Sequence, residues 1–549
     1  MADLEENLEF NSRRSAVYSL HGMVASSQPT ASNIGLDLLK KGGNAVDAAI
    51  AVSAALAVTE PCSTGIGGDC FMLYFSNSDK KVYGLNGSGR SSSQLTCEYV
   101  QQTIGAFEGD DRFHALSVTV PGAIAGWMDA LDRWGSMPPS DVLAPAVKLA
   151  REGFAVAPLT AYHWKRGEAF IKRNDERSRG ALLIDGRAPR AGELFRNPKL
   201  ADTLERVGAE GAKAFYTGLT AEAIVKCVNK HGGVMALDDL SSHTTTFPEP
   251  ISVNYKGYEV HQIPPNGQGL VALLAMNIVK GLDIGSFRHN SAPYLHRCIE
   301  ALRLAFADGK RYIGDPEVGP ASPVEGLLSD AYTQDRIRCV LPDRANPAIK
   351  YGTPVASSNT VSFQVVDDDG NAVSMVNSNY CGFGTGLIPD GEGFPLQNRG
   401  ANFCVDRTSP NCAGPRKRPY HTIIPAMVTK DGELWSTYTN MGGFMQPQGH
   451  LQLLLDQVEY GMDPQAALDQ PRICLTPERD PPTVSLEDGI TPHVANELRQ
   501  MGHRINDGVR GQDRALFGRG QIINRTVSHR QRVWVGGSDG RADGCCMGY

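Results

Sequence analysis

Hydrophobic and polar positions follow two different periods along this chain of 549 residues. Apolar residues recur at three- and four-residue steps over 141–151 and 293–307, which predicts amphipathic helices there. The alanine-rich run 45–58 contains a single charged residue, Asp47, and predicts a helix that is buried on every side. This run is too short for a membrane span, which needs about 20 apolar residues, so we expect no membrane association.

A period of two begins near residue 360. The run 360–366 (TVSFQVV) alternates polar and apolar residues and predicts a strand, while DDDGN at 367–371 is turn chemistry. The run 372–377 predicts the strand that returns beside the first one, which together make a hairpin. Further elements are predicted after it: strands over 423–428 and 433–440 and a helix over 446–460. Strands and helices mix throughout, so the predicted class is α/β (α+β).

Charge and composition exclude some classes of function. The net charge of −7 argues against a nucleic-acid partner, because such a protein needs a basic surface to neutralise phosphates. The 12 cysteines are scattered without a CxxC pair, which favours reduced thiols. The first 15 residues are polar and lack the apolar core of a secretory signal, so we expect a cytoplasmic protein.

Most familiar cofactor chemistries have no sequence support. There is no HExxH motif and no metal-ligand spacing among the 13 histidines, so no metal is expected. No phosphate-binding GxxxxGK[ST] motif occurs, and the glycine-rich run 382–386 precedes Pro389 rather than a helix. We therefore expect an enzyme without a cofactor, if it is an enzyme.

Two long stretches carry a set of motifs in a specific order. The first, 22–90, contains KKGGNAVDAAIAV and VTEPCSTGIGGD. The second begins NTVSFQVVDDDGNAVSMVNSNYCGFGTGL and continues through GPRKRPYHTIIPAM and NMGGFMQPQGH. Together they resemble the gamma-glutamyltransferase (glutathione hydrolase) family of N-terminal-nucleophile hydrolases. The resemblance extends from about residue 20 to the final DGCCMGY.

The resemblance implies a fold and a maturation step. The fold of the family is a four-layer αββα sandwich. The precursor would cleave itself between Asn359 and Thr360, which makes a large chain, 21–359 behind a polar arm 1–20, and a small chain, 360–549. The two products would stay together as a heterodimer within one αββα unit.

The resemblance also assigns the catalytic groups. Thr360 stands where the family has its nucleophile, and Ser378 stands where a second, helper threonine is usual. A threonine hydroxyl needs a base, and a freed α-amino group with a pKa of about 8 supplies one near neutral pH. Gly442 and Gly443 match the glycines of the oxyanion hole, and the helix predicted after them would add a favourable dipole.

The predicted substrate pocket departs from the usual family pattern. Arg90 matches the arginine that binds a substrate carboxylate. Arg399 and Asn402 replace the glutamine and aspartate that the family places near the substrate amino group, and His421 and Thr422 replace two serines. Loss of the aspartate removes a charge-assisted hydrogen bond to an ammonium group, worth about 1.5–3 kcal/mol. The pocket therefore suits an acyl group that has a carboxylate and no α-amine.

The predicted function is a self-processing threonine-nucleophile amidohydrolase or acyltransferase that hydrolyses a small-molecule amide through an acyl-enzyme. Local sequence motifs such as PPNGQG and MGGFMQPQGH resemble the acylase-like and oxamate-amidohydrolase-like branch of the family more than its other members. Two alternatives stay open at this point. One is a true glutathione hydrolase or gamma-glutamyl transpeptidase, and the other is an uncleaved, catalytically silent binding protein.

Overall fold

The computed structural model describes residues 14–349, 360–476 and 482–549. The predicted cleavage residue Asn359 and the first 13 residues of the predicted arm lie outside the described residues.

The strands of the described residues, in chain order, are β1 (Val17–Ser19), β2 (Met23–Ser26), β3 (Asp69–Ser76), β4 (Lys81–Gly87), β5 (Phe154–Ala155), β6 (Leu194–Phe195), β7 (Ile251–Tyr255), β8 (Tyr258–Gln262), β9 (Val361–Val366), β10 (Ala372–Ser378), β11 (Ala426–Lys430), β12 (Glu433–Met441), β13 (Ile473–Thr476), β14 (Thr483–Glu487), β15 (Arg504–Val509), β16 (Arg519–Ser528), β17 (Gln531–Ser538) and β18 (Cys545–Gly548).

The α-helices of the same residues are α1 (Pro29–Lys40), α2 (Ala45–Thr59), α3 (Cys97–Ile104), α4 (Ala123–Trp134), α5 (Pro139–Glu152), α6 (Pro158–Ile171), α7 (Glu176–Arg179), α8 (Pro198–Glu210), α9 (Lys213–Tyr216), α10 (Gly218–Lys230), α11 (Leu237–Ser241), α12 (Gly269–Lys280), α13 (Ala292–Tyr312), α14 (Val324–Leu327), α15 (Asp330–Ile337), α16 (Met445–Val458), α17 (Pro464–Asp469) and α18 (Pro492–Gln500).

Two antiparallel sheets form the centre of the molecule. One has the order β1-β17-β16-β12-β11-β8-β7 and the other β18-β2-β9-β10-β3-β4. Phe71 and Val376 of the second sheet share an apolar cluster with Met427 and Trp534 of the first, so the sheets pack face to face. The polar side of β9 also faces the opposite sheet rather than water, because the Gln364 amide bonds to threonines of β12.

Helices cover the outer face of each sheet. The helices α1, α2, α4 and α5 share one apolar cluster with β3, β9 and β10. On the other side, α12, α13 and α16 share a second cluster with β8, β11 and β12. The order of layers is helix, sheet, sheet, helix, which confirms the predicted αββα class.

The alanine-rich helix α2 is confirmed, and each of its residues is buried. Its start follows from a capping box: the Asn44 side chain accepts hydrogen bonds from the N–H groups of Val46 and Asp47, and the Asp47 carboxylate accepts one from Asn44 N. Small alanine side chains let α2 lie close to α1, α5 and the sheet on all sides.

The predicted hairpin after residue 360 is confirmed as β9 and β10. The strand predicted over 423–428 begins later, at Ala426. The first residues of the predicted range make hydrogen bonds to side chains instead of a neighbouring strand: Ile423 N donates to His421 Nδ1, and Ile424 N donates to Gln446 Oε1. Among the described residues, no helix combines the length and apolar character needed to cross a membrane.

Candidate active site

The candidate nucleophile lies at the start of β9, an inner strand of the six-stranded sheet. Thr360 directly precedes β9, and Asn377 of β10 pairs with Val361, so the next position along β10, Ser378, lies opposite Thr360. The hydroxyl oxygens of Thr360 and Ser378 are 2.9 Å apart, and both residues are fully buried. Ser378 Oγ also accepts a hydrogen bond from Tyr380 N at 2.9 Å, which orients the serine hydroxyl toward the threonine.

Next to Ser378 lies the buried carboxylate of Asp69, which sequence analysis did not identify as a site residue. Asp69, the first residue of β3, pairs with Ser378 across the sheet. Its Oδ1 accepts hydrogen bonds from Gly89 N at 3.0 Å, Gly122 N at 3.1 Å and Gln397 Nε2 at 2.9 Å. The only sequence signal for Asp69 is its place at the end of TGIGGD, directly before a strand.

The imidazole of His421 supports the site without carrying a charge. Burial, helped by the Arg399 charge, lowers its pKa to about 4 even though Asp69 acts in the other direction. Its Nε2 lies 3.0 Å from Asp69 Oδ2 and its Nδ1 accepts from Ile423 N at 3.3 Å. Because Nδ1 accepts, Nε2 carries the proton and donates it to Asp69. His421 is therefore a neutral, structural residue, and both of its ring nitrogens make hydrogen bonds within the protein.

Arg399 is a cation that is fully buried within the site. It begins a 3₁₀ turn that ends at Asn402, it is fully buried, and its Nη1 donates to Thr422 Oγ1 at 2.6 Å. The guanidinium carbon lies 4.4 Å from the centre of the Tyr380 ring. Burial lowers the pKa of Arg399 to about 10, with Asp69 opposing the shift, so the side chain is charged at neutral pH.

Two nitrogen atoms of the Arg399 guanidinium make no hydrogen bond to the described residues. Its Nε and Nη2 have no hydrogen-bond partner among the described residues, and neither has Asn402 Nδ2. A buried charge without partners costs several kcal/mol, so such donors are normally met by a ligand, an ion or water. The arrangement therefore fits a bound anion, and a planar guanidinium with two free N–H directions matches a carboxylate.

Arg90 is differently placed. Its Nη2 lies 2.6 Å from the Glu317 carboxylate, and its Nη1 donates to Thr244 O at 3.3 Å. The same carboxylate also contacts Arg418 at 3.1 Å. Arg90 is connected to the site through its neighbour Gly89, which bonds to Asp69. Its guanidinium thus belongs to a partly exposed charge cluster, whereas that of Arg399 is buried with free donors.

The glycine pair lies between β12 and α16. Gly442 and Gly443 have φ values of +136° and +61°, which favour glycine, and a Cβ on Gly442 would be 3.1 Å from Gly518 Cα. The helix α16 starts at Met445, and its positive end is directed at this turn. Backbone N–H groups here can approach a ligand closely, as an oxyanion hole requires.

One glutamine joins the glycine pair to the rest of the site. Gln268 Nε2 donates to Gly443 O at 2.8 Å and to Thr422 O at 2.6 Å, and Gln268 N donates to His421 O at 2.9 Å. This single residue holds the glycine turn against the segment that positions Arg399. The sequence contains Gln268 within PPNGQG, but nothing in the local pattern indicates its partners.

Comparison with known proteins decides the family. The sequence profile described as Gamma-glutamyltranspeptidase matches residues 31–549. This chain belongs to the gamma-glutamyltranspeptidase family. It is therefore a hydrolytic enzyme with the fold of the N-terminal-nucleophile hydrolases in this family.

Relatives with three different names are similar to the chain over nearly its whole length. The chain is 35% identical over 529 residues to the glutathione hydrolase-like YwrD proenzyme of Bacillus subtilis (strain 168), covering 96% of this chain and 98% of that protein. It is 30% identical over 542 residues to the oxamate amidohydrolase proenzyme of Klebsiella pneumoniae, covering 97% and 99%. The crystal structure of cephalosporin acylase from Bacillus halodurans superimposes with a TM-score of 0.90 at 41% identity, covering 100% of this chain and 99% of that one.

Proposed function

We propose that this protein is a self-processing threonine-nucleophile amidohydrolase, which hydrolyses the amide of a small carboxylate-bearing acyl group through an acyl-enzyme. The observation that carries the proposal is the fully buried Arg399. Its Nη1 connects it through Thr422 and Gln268 to the glycine turn, and its Nε and Nη2 have no partner among the described residues. The names of two relatives contain the word proenzyme, which supports self-processing.

The proposed reaction begins with cleavage of the bond between Asn359 and Thr360. The freed α-amine takes the proton of Thr360 Oγ1 as the oxygen attacks the substrate carbonyl, and Ser378 Oγ, 2.9 Å away, keeps that hydroxyl in place. The N–H groups of Gly442 and Gly443 stabilise the oxyanion. The leaving amine then takes the proton from the threonine α-ammonium, and water releases the acid from the acyl-enzyme by the same steps. The products 1–359, including the arm 1–20, and 360–549 stay together as a heterodimer.

The proposed acyl pocket binds the substrate carboxylate with Arg399. Its Nη1 is anchored by Thr422, which leaves Nε and Nη2 as the fork that meets the two carboxylate oxygens. The unpartnered Nδ2 of Asn402 adds a neutral donor. In this proposal His421 acts indirectly by holding Thr422, and Arg90 contributes an outer positive charge.

An α-ammonium group would be poorly accommodated beside Arg399. Asp69 is the carboxylate that acts on the Arg399 charge, and its oxygens already accept four hydrogen bonds, from Gly89, Gly122, Gln397 and His421. An ammonium would have to compete with those donors and would be repelled by the guanidinium. These contacts favour acyl groups that lack the amine.

Glutathione hydrolysis is the second candidate, because the relative from Bacillus subtilis is named glutathione hydrolase-like. A matched substrate pair separates the two: glutaryl anilide and γ-glutamyl anilide differ only by the α-amino group. We expect kcat/KM to favour the glutaryl compound by about tenfold or more, the value of one charged hydrogen bond. A preference for the γ-glutamyl compound would establish the glutathione hydrolase activity instead.

The variant Thr360→Ala tests the nucleophile itself. A denaturing gel of the natural chain should show two bands that correspond to 1–359 and 360–549, whereas the variant should stay as one band and show no turnover. Thr360→Ser, which keeps a hydroxyl, should still cleave. If Thr360→Ala cleaves or turns over, the proposed mechanism is wrong. If the natural chain itself stays uncut and inactive, the silent binding protein becomes the better description.

A further inference from the structure

A large cavity opens beside the oxyanion glycines. It has a volume of about 810 Å³ and reaches Gly442. Its walls include four phenylalanine rings that come from separate parts of the chain: Phe113, Phe170, Phe383 and Phe444. The volume lies within the range of about 300–1,000 Å³ that is typical of small-molecule sites. A cavity of this size is much larger than a methyl- or ammonia-sized leaving group requires.

The cavity and the candidate acyl pocket contact different residues of the glycine pair. Arg399, Asn402 and Thr422, which form the carboxylate end of that pocket, do not line the cavity. They reach the glycine turn from the Gln268 side, through Gly443 O. A substrate amide whose carbonyl oxygen meets the glycine N–H groups has its acyl part on one side of that carbonyl and its amine part on the other.

We propose that this cavity binds the amine side of the substrate, and that the enzyme selects bulky, mostly apolar amines as leaving groups. The inference rests on the proposed function, since it takes the acyl carboxylate to be bound at Arg399. Charged residues of both signs also line the cavity: Arg166, Arg510, Asp507 and Asp513. Their formal charges cancel, so the cavity has no net charge that would select an ionic amine. The phenylalanine rings supply the apolar contacts, and these favour an aromatic amine.

Two residues on the cavity wall allow the space to be reduced. Ala515 lies in the 3₁₀ helix Gly511–Phe517 and Val509 ends β15, and both are half-buried, so each position accepts a larger side chain. Ala515→Trp and Val509→Trp would each place an indole in the cavity from a different element. Leu219→Trp is the control, because Leu219 is 74% exposed on α10 and does not line the cavity.

The experiment compares two amides of the same acyl group, glutaryl 2-naphthylamide and glutaryl N-methylamide, with each self-cleaved enzyme. The ratio of their kcat/KM values cancels effects on the acyl side. We expect this ratio to fall about tenfold or more in at least one of the two cavity variants, as pocket filling usually does, and to stay constant in Leu219→Trp. Thermal unfolding of each variant confirms that it is folded.

A ratio that stays at the natural value in folded Ala515→Trp and Val509→Trp would overturn the inference, because the amine would then lie elsewhere. That result would leave the proposed function intact, provided that the natural enzyme hydrolyses both amides and Thr360→Ala hydrolyses neither. Failure of the natural enzyme on both amides would instead remove the proposed function, and the inference with it.

Discussion

Replacing Arg399 with methionine is the sharpest test of the acyl pocket. Methionine keeps a long side chain in the buried space over the Tyr380 ring but removes the charge and all the donors. The variant loses the Nη1 bond to Thr422 at 2.6 Å and the two free donors, Nε and Nη2, that we assign to the substrate carboxylate. Removal of a buried charge with unpartnered donors relieves a cost to the folded protein, so we expect the loss to appear in catalysis rather than in folding.

The expected magnitude follows from those two donors. A hydrogen bond to a charged group contributes about 1.5–3 kcal/mol, so two of them contribute about 3–6 kcal/mol. Since about 1.4 kcal/mol corresponds to a factor of ten, kcat/KM should fall by about 10²–10⁴ for a carboxylate-bearing substrate. Thr422→Val provides the correction for the lost internal bond, because it removes only the hydroxyl that Nη1 meets.

The assay uses glutaryl anilide and pentanoyl anilide, which differ only by the terminal carboxylate. The natural enzyme should prefer the glutaryl compound strongly. Arg399→Met should hydrolyse both at similar rates, because the variant lacks the interaction with the carboxylate that favoured the glutaryl compound. Arg90→Met is the matched control. Its guanidinium is already paired with Glu317 at 2.6 Å, so its loss should change the preference much less.

Two results would refute this reasoning. One is an Arg399→Met enzyme that cleaves itself normally and keeps the full preference for the glutaryl compound. The other is an Arg90→Met enzyme that loses as much of the preference as Arg399→Met does. The second result would place the substrate carboxylate at Arg90 and would make the free donors of Arg399 a site for water or an ion.

Two other predictions concern the oxyanion glycines and acid stability. Gly442→Ala should lower kcat by about 10²–10³, because a Cβ forces this position away from φ +136° and displaces its N–H group. The control is Gly432→Ala, in the open turn at the other end of β12, which should lower only the stability of the fold. Burial lowers the pKa of His450 to about 3, so between about pH 6.5 and 3 the unfolded chain binds a proton that the folded chain does not. The free energy of unfolding should therefore fall with decreasing pH in that window by up to about 1.4 kcal/mol per pH unit for this residue. Urea unfolding should show a shallower fall in His450→Gln and no change in the exposed control His493→Gln; equal slopes in all three proteins would contradict the argument.

The local pattern of the sequence was enough to locate the elements around the site. Alternation and the DDDGN turn predicted the hairpin that begins at Thr360, and the apolar residues of 446–460 predicted the helix that follows the glycine pair. The alanine-rich run 45–58 predicted the buried helix α2. These features depend on neighbours within a few positions in the chain, which is why periodicity and turn chemistry reveal them.

Only the tertiary structure decided which of the candidate residues have free hydrogen-bonding groups. Asp69 meets His421 across 352 positions of the chain, and Arg90 meets Glu317 across 227. Those contacts make His421 a neutral support and leave Arg399 as the buried cation with open donors. Nothing in the local sequence around Arg90 or Arg399 distinguishes them, because burial and pairing are properties of the elements that the fold brings beside each side chain.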